Sequence, residues 1–115
     1  MASAALPAAV AKALASFSCA VRARFGGRVS EIVLFGSHAR GDANEDSDVD
    51  VLVAIDGLSE AERIEVIDLA YGVDRALDDD WVGLSVLAYP SAQTIRMREG
   101  GRRLFRDIDR EGQSL

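Results

Sequence analysis

The stretch IVLFGSHARGDANEDSDVDVLVAI, residues 32–55, decides the fold. It opens as an uninterrupted apolar run from Ile32 to Phe35 and breaks at Gly36-Ser37. It then crosses a polar loop to Ser47 and returns through Asp48-Val49-Asp50 into a second apolar run, Val51 to Ile55. Short apolar runs bounded by glycine and acidic turn signals read as buried strands, so the order is strand, anion loop, strand. In an extended chain residues i and i+2 point to the same side, which brings Asp48 and Asp50 together, about 6 to 7 Å apart at Cα. Two carboxylates so placed repel each other unless a cation lies between them. Hard divalent cations such as Mg²⁺ take oxygen ligands, commonly one or two protein carboxylates completed by phosphates and water. Gly36-Ser37 offers the other half of such a site: a glycine after a buried strand lets backbone approach an anion, and the N–H groups and hydroxyl that follow can point at phosphate oxygens. Singly, each signal is ordinary, since an Asp-x-Asp is commonly a solvated strand end and a Gly-Ser a plain turn. Their fixed order, with ten residues between Ser37 and Asp48 and an apolar strand on either side, gives the reading its weight.

Upstream, Val10, Leu14, Phe17, Val21 and Phe25 recur at the spacing of a buried helical stripe. Pro7 is tolerated near the start of that helix, where its missing N–H matters little, and Gly26-Gly27 ends it. Residues 1–28 hold no acid and are rich in alanine, yet no basic residue precedes the apolar part, so a core helix is expected rather than a targeting peptide. Downstream, Asp56-Gly57 makes a turn, and Ser59 with Glu62 fits a capping box. The helix that follows is expected to run to about Leu77 and to bury a face centred on Ile64, Ile67 and Tyr71, joined by Val66, Ala70 and Val73. Its acids Glu60, Glu62, Glu65 and Asp68 lie early, where they suit the helix dipole. Trp81 to Ala88 reads as a third strand, Ser91 to Arg98 as a short helix, and the segment from about Arg102 as a last helix burying Leu104, Phe105 and Ile108, followed by a short tail.

The 115 residues, about half of them apolar and 28% charged, suit one soluble domain with a single core, spanning 1–115. The lone Cys19 has no cysteine to pair with, which suits a reducing cytoplasm, and no apolar run has the length of a membrane span. Residues 41–80 hold fourteen acids against two arginines, while the flanks hold five acids against eleven basic residues. That acidic centre, with a sequence pI near 4.7, argues against binding DNA or RNA through the phosphate backbone, which relies on clustered Lys and Arg. The late arginines Arg96, Arg98, Arg102, Arg103, Arg106 and Arg110 can offer a face to an acidic partner, but several are expected to pair with Glu99, Asp107, Asp109 and Glu111 nearby. The only histidine, His38, reads as a solvated loop residue, and Arg40 as a surface cation within reach of a triphosphate.

Gly36-Ser37, a short spacer and Asp48-x-Asp50 together resemble the signature of the DNA polymerase beta-like nucleotidyltransferases, and GSHARGDANEDSDVDVLV is similar to their smallest, MNT-type members, the antitoxins of HEPN/MNT toxin–antitoxin modules. The resemblance covers nearly the whole chain. It implies an α/β (α+β) nucleotidyltransferase fold, a small, mixed, twisted sheet flanked by helices. The implied activity is transfer of AMP from ATP to a hydroxyl, a tyrosine, of a HEPN-domain toxin, with Asp48 and Asp50 as catalytic ligands of two Mg²⁺ ions. Gly36, Ser37 and Arg40 are the implied nucleotide-binding residues. Such enzymes generally carry a third carboxylate on the strand beside the Asp-x-Asp strand, and here Ser85 stands where it is expected. Two other readings therefore stay open: a module that silences its partner by contact alone, and a small-molecule nucleotidyltransferase, for which so short a chain needs a homo-oligomer to build an acceptor pocket.

Overall fold

The computed structural model describes residues 6–115; residues 1–5 of the expected domain lie outside the described residues. Chain order is α1 (Ala8–Phe25), β1 (Val29–Phe35), α2 (Ser37–Arg40), β2 (Val49–Ile55), α3 (Glu60–Leu77), β3 (Leu84–Pro90), α4 (Ser91–Glu99), α5 (Arg103–Glu111) and β4 (Gln113–Ser114). The strands form one mixed sheet in the order β3-β2-β1-β4, with β1 antiparallel to β2 and β4, and β2 parallel to β3. This is the α/β arrangement expected from residues 32–55.

The β2 strand is apolar throughout Val51–Ile55 because both of its faces are covered. Val49, Val51, Val53 and Ile55 pack with the stripe Val10, Leu14, Phe17, Val21 and Phe25 of α1 and with Val66 and Ala70 of α3. On the opposite face Leu52 joins Val33, Phe105 and Ile108 under α4 and α5. The alternation that sends Leu52 to this second face sends Asp50 there too. Gly26, at φ +56, stops α1 in the left-handed region that glycine tolerates. At the start of α3 the capping box forms as read, with the Ser59 hydroxyl accepting from the Glu62 N–H at 3.1 Å and the Glu62 carboxylate accepting from the Ser59 N–H at 3.0 Å.

Several expectations change. β1 starts at Val29, not Ile32, and β3 covers Leu84–Pro90 rather than 81–88. The Asp74 carboxylate accepts the N–H groups of Val82 and Leu84, at 3.2 and 3.0 Å, and Gly83 between them sits at φ +73, so Trp81-Val82-Gly83 form a tethered turn ahead of the strand. The α3 helix buries Val66 and Ala70, with Leu69 and Val73 packed beside them. Ile64 and Tyr71, expected inside, are 50% and 66% exposed. This helix carries apolar residues on two sides, and the side with the smaller residues lies against the core cluster that α1 shares. In α5, Phe105 and Ile108 are buried but Leu104 is exposed. The expected tail instead adds a strand, β4, beside Val33 and Leu34. Among the described residues no helix is long and apolar enough to cross a membrane.

Candidate active site

Asp48 and Asp50 stand at the mouth of β2, each against a glycine. A Cβ on Gly36 would collide with the Asp50 Oδ2 oxygen, and one on Gly83 would lie 3.3 Å from Asp48 Oδ1. Both glycines have positive φ, +77 and +73, so each is required twice over, by backbone conformation and by the carboxylate it accommodates. The sheet register places Phe35 on one side of Asp50 and Ser85 on the other, and the Val49 N–H donates to the Gly83 carbonyl at 3.0 Å. Ser85 is therefore the direct neighbour of Asp50 on β3, as the sequence reading expected.

Among the described residues neither Asp48 nor Asp50 has an ion-pair partner or a hydrogen-bond donor to its carboxylate. Partial burial, and after it the negative charge of Asp48, push the Asp50 carboxyl above its ordinary value, while the nearby His38 and Arg40 pull it down. No third Asp, Glu, His or Cys among the described residues joins them in a three-ligand cluster.

Gly36 leads into the single helical turn of α2, so the polar loop is partly ordered as helix. Ser37 opens that turn; its carbonyl accepts the N–H groups of Gly41 at 2.9 Å and Asp42 at 3.1 Å, closing the loop behind it. Its hydroxyl makes no hydrogen bond among the described residues, and the first N–H groups of the turn have no intrahelical acceptor. Arg40, at the far end of the turn, is held by Asp42 at 3.2 Å and Glu111 at 3.4 Å. Those pairs are solvent-exposed and weak enough to exchange for a phosphate. His38 corrects the sequence reading: it is buried, not solvated, because α2 turns its imidazole inward.

A cavity of about 840 Å³ opens beside Asp48, bounded by the start of α1, the 41–48 loop and Asp80 to Val82, with His38 and Trp81 in its wall. Two residues that shape this region were missed from sequence. Asp74 anchors the Trp81 turn, and its signal was an acid in the last turns of a helix, where the dipole disfavours it. Trp81, read as the first residue of the third strand, lies in the turn before it and is 65% exposed.

Two curated relatives share local identity with the chain. The Thermococcus cleftensis protein adenylyltransferase MntA is 64% identical over 33 residues, 29% of this chain and 31% of the relative. The Methanocaldococcus jannaschii protein named "Putative protein adenylyltransferase MJ0604" is 47% identical over 45 residues, 39% of this chain and 45% of the relative. The matched stretches thus span less than half the length of either. A crystal structure of a toxin–antitoxin with AMP-PNP shares the fold, with a TM-score of 0.52 and 24% identity over 85% of this chain and 68% of that one. The model of the nucleotidyltransferase domain matches residues 14–93, from within α1 to the first turn of α4 and through Asp48 and Asp50, and on that match the chain belongs to the nucleotidyltransferase domain family.

Proposed function

We propose that this protein transfers AMP from ATP to a hydroxyl on a partner protein, the partner being a HEPN-domain toxin, the acceptor a tyrosine and the outcome antitoxin activity. The observation that carries the reading is the bare pair Asp48 and Asp50, side by side without a counter-ion among the described residues and flanked by two glycines that leave them room. Such a donor set of hard, free carboxylate oxygens fits Mg²⁺, with substrate phosphates and water completing its ligands. When bound, the metal supplies Lewis-acid neutralisation of the phosphate charge and lowers the pKa of a bound hydroxyl. The chain's own part is positional. The Ser37 hydroxyl and the free N–H groups of α2 would seat the β- and γ-phosphates, Arg40 would exchange its surface pairs for them, and Asp48 and Asp50 would hold the α-phosphate end of the site. The acceptor oxygen then bonds to the α-phosphorus, the bond from that phosphorus to the bridging oxygen breaks, pyrophosphate leaves with the electron pair, and the hydroxyl proton passes to water.

A partner protein as acceptor is supported by the names of the relatives, by the toxin–antitoxin neighbour, and by the exposed Ile64 and Tyr71, two turns apart on α3, since large apolar side chains outside a core mark interaction surfaces. Ser85 beside Asp50 favours the second reading, silencing by contact alone. Incubation of the wild type and Asp50→Asn with radiolabelled ATP, Mg²⁺ and the HEPN protein decides between them. Label on the partner that falls about 10³-fold in the variant supports transfer, the size expected from losing several kcal/mol of charge stabilisation. An unlabelled partner that both forms bind and silence equally would establish the contact-only reading.

A further inference from the structure

We infer that the cavity beside Asp48 seats the purine base of the nucleoside triphosphate, with the Trp81 indole as its stacking wall; this rests on the nucleotidyl-transfer reading and adds where the base goes and which bases fit. The cavity, about 840 Å³, lies within the range of about 300–1,000 Å³ usual for small-molecule sites. Its lining separates the parts of a nucleotide it can accept. Pro7, Val10, Trp81 and Val82 give it apolar walls, and Glu45, Asp46, Asp48 and Asp80 bring acids to it, whereas among the described residues no lysine or arginine lines it. A triphosphate is repelled there, but a flat, neutral heterocycle is not. His38 and Gly41 of the α2 region also line the cavity, so it is continuous with the Ser37 end where phosphates would lie. Asp48 itself lines the cavity, so a base seated there would bring its α-phosphate towards the carboxylate pair.

Trp81 is placed for the task. A Cβ on Gly83 would lie 3.2 Å from Trp81 Cζ3 and 3.3 Å from Asp48 Oδ1, so indole edge and carboxylate are close neighbours across that glycine. The backbone just after it is tied down by Asp74 through the Val82 and Leu84 N–H groups, and the ring itself is 65% exposed. An aromatic on a tethered turn with an uncovered face is a platform on which bases stack, and the larger purine gains more than a pyrimidine.

Trp81 is the only tryptophan in the chain; its indole borders this cavity and a second one beside Tyr71 and Asp74, and Ala43, which lines only the first, tells the two apart. Titration with Mg²⁺ and ATP, GTP, CTP, UTP or inorganic tripolyphosphate is expected to show quenching by ATP and GTP at lower concentrations than by CTP and UTP. Tripolyphosphate is expected to bind about tenfold more weakly than ATP by calorimetry and without quenching. Trp81→Ala should bring ATP affinity down to that of tripolyphosphate while leaving the latter unchanged, and Trp81→Phe should restore most of it. Ala43→Phe, which fills the cavity from the loop side, should weaken ATP and spare tripolyphosphate in the same way. Should ATP leave the wild-type emission unchanged and bind with equal affinity by calorimetry to wild type, Trp81→Ala and Ala43→Phe, the base lies elsewhere and only this inference falls. If neither ATP nor tripolyphosphate binds, the nucleotidyl-transfer reading falls and takes the inference with it.

Discussion

Two sets of carboxylates in this molecule are treated in opposite ways. Glu62 accepts two guanidinium hydrogen bonds from Arg28, at 2.8 and 2.9 Å, together with the Ser59 N–H, and these hold its carboxyl down at about 2. Glu31 is gripped by both terminal nitrogens of Arg98, at 2.7 and 3.0 Å, and Arg98 also clasps Asp109 and lies over the Phe105 ring. Among the described residues the same fold gives Asp48 and Asp50 no ion-pair partner, and one of them is pushed above its ordinary value. Because Asp50 is partly buried beside the charge of Asp48 and raised above its ordinary value, the bare pair contributes no folding stability.

The paired set should lose most when broken. Glu31→Ala strips Arg98 of its bidentate partner and is expected to lower stability by about 2 kcal/mol, a charge-assisted hydrogen bond contributing about 1.5–3 kcal/mol before solvent exposure is discounted. Urea denaturation would show this as a lower midpoint at unchanged slope, and any stabilisation by Mg²⁺ and ATP should be untouched. The bare set should gain from an added charge only when metal is present. Ser85→Asp puts a third carboxylate beside Asp50 and should tighten Mg²⁺ binding about tenfold while lowering the melting temperature of the metal-free protein; calorimetry showing unchanged Mg²⁺ affinity would mean that the cation does not lie between these strands.

The smallest effect has the most diagnostic sign. Because the Asp50 carboxyl is raised in the folded protein, its ionised form opposes folding above that value, and the penalty disappears as pH falls through it. Asp50→Asn should therefore raise the melting temperature at neutral pH by about 2 °C, with the two proteins converging in acid. Glu62 behaves in the reverse sense: its lowered pKa contributes stability that is complete above about 4.5 and is lost as pH falls towards about 2. Glu62→Gln should melt below the wild type at neutral pH and meet it in that acid window. Parallel melting curves for the Asp50 and Glu62 variants across pH would erase the distinction between the two sets.

Much of this was legible because the signals are local and redundant. The apolar run fixed β2 as Val49–Ile55, a five-residue stripe fixed the inner face of α1, and Ser59 with Glu62 fixed where α3 begins. The Asp50–Ser85 adjacency was expected from the family resemblance, which places a residue of the neighbouring strand there, and the register has Ser85 opposite Asp50. What escaped depends on tertiary contact. A two-residue strand such as β4 carries no periodicity to detect. The α3 helix is apolar on two sides, and only packing selects the one bearing Val66 and Ala70. His38 is buried because α2 is helical for one turn, which four residues cannot announce. Gly36 was read as room for a phosphate, but the sequence could not show that the same glycine makes room for Asp50.

The mixed sheet has a kinetic consequence for the site it supports. β1 and β2 meet as antiparallel neighbours across one connecting loop, whereas β3 reaches β2 only after the whole of α3 has crossed the sheet. Such parallel, non-local pairing closes a longer loop and is the slower event. On that order Asp50 settles against Gly36 early, while Gly83, Ser85 and the Trp81 turn arrive later, so a refolding chain recovers its central hairpin before it recovers a complete mouth around the two carboxylates.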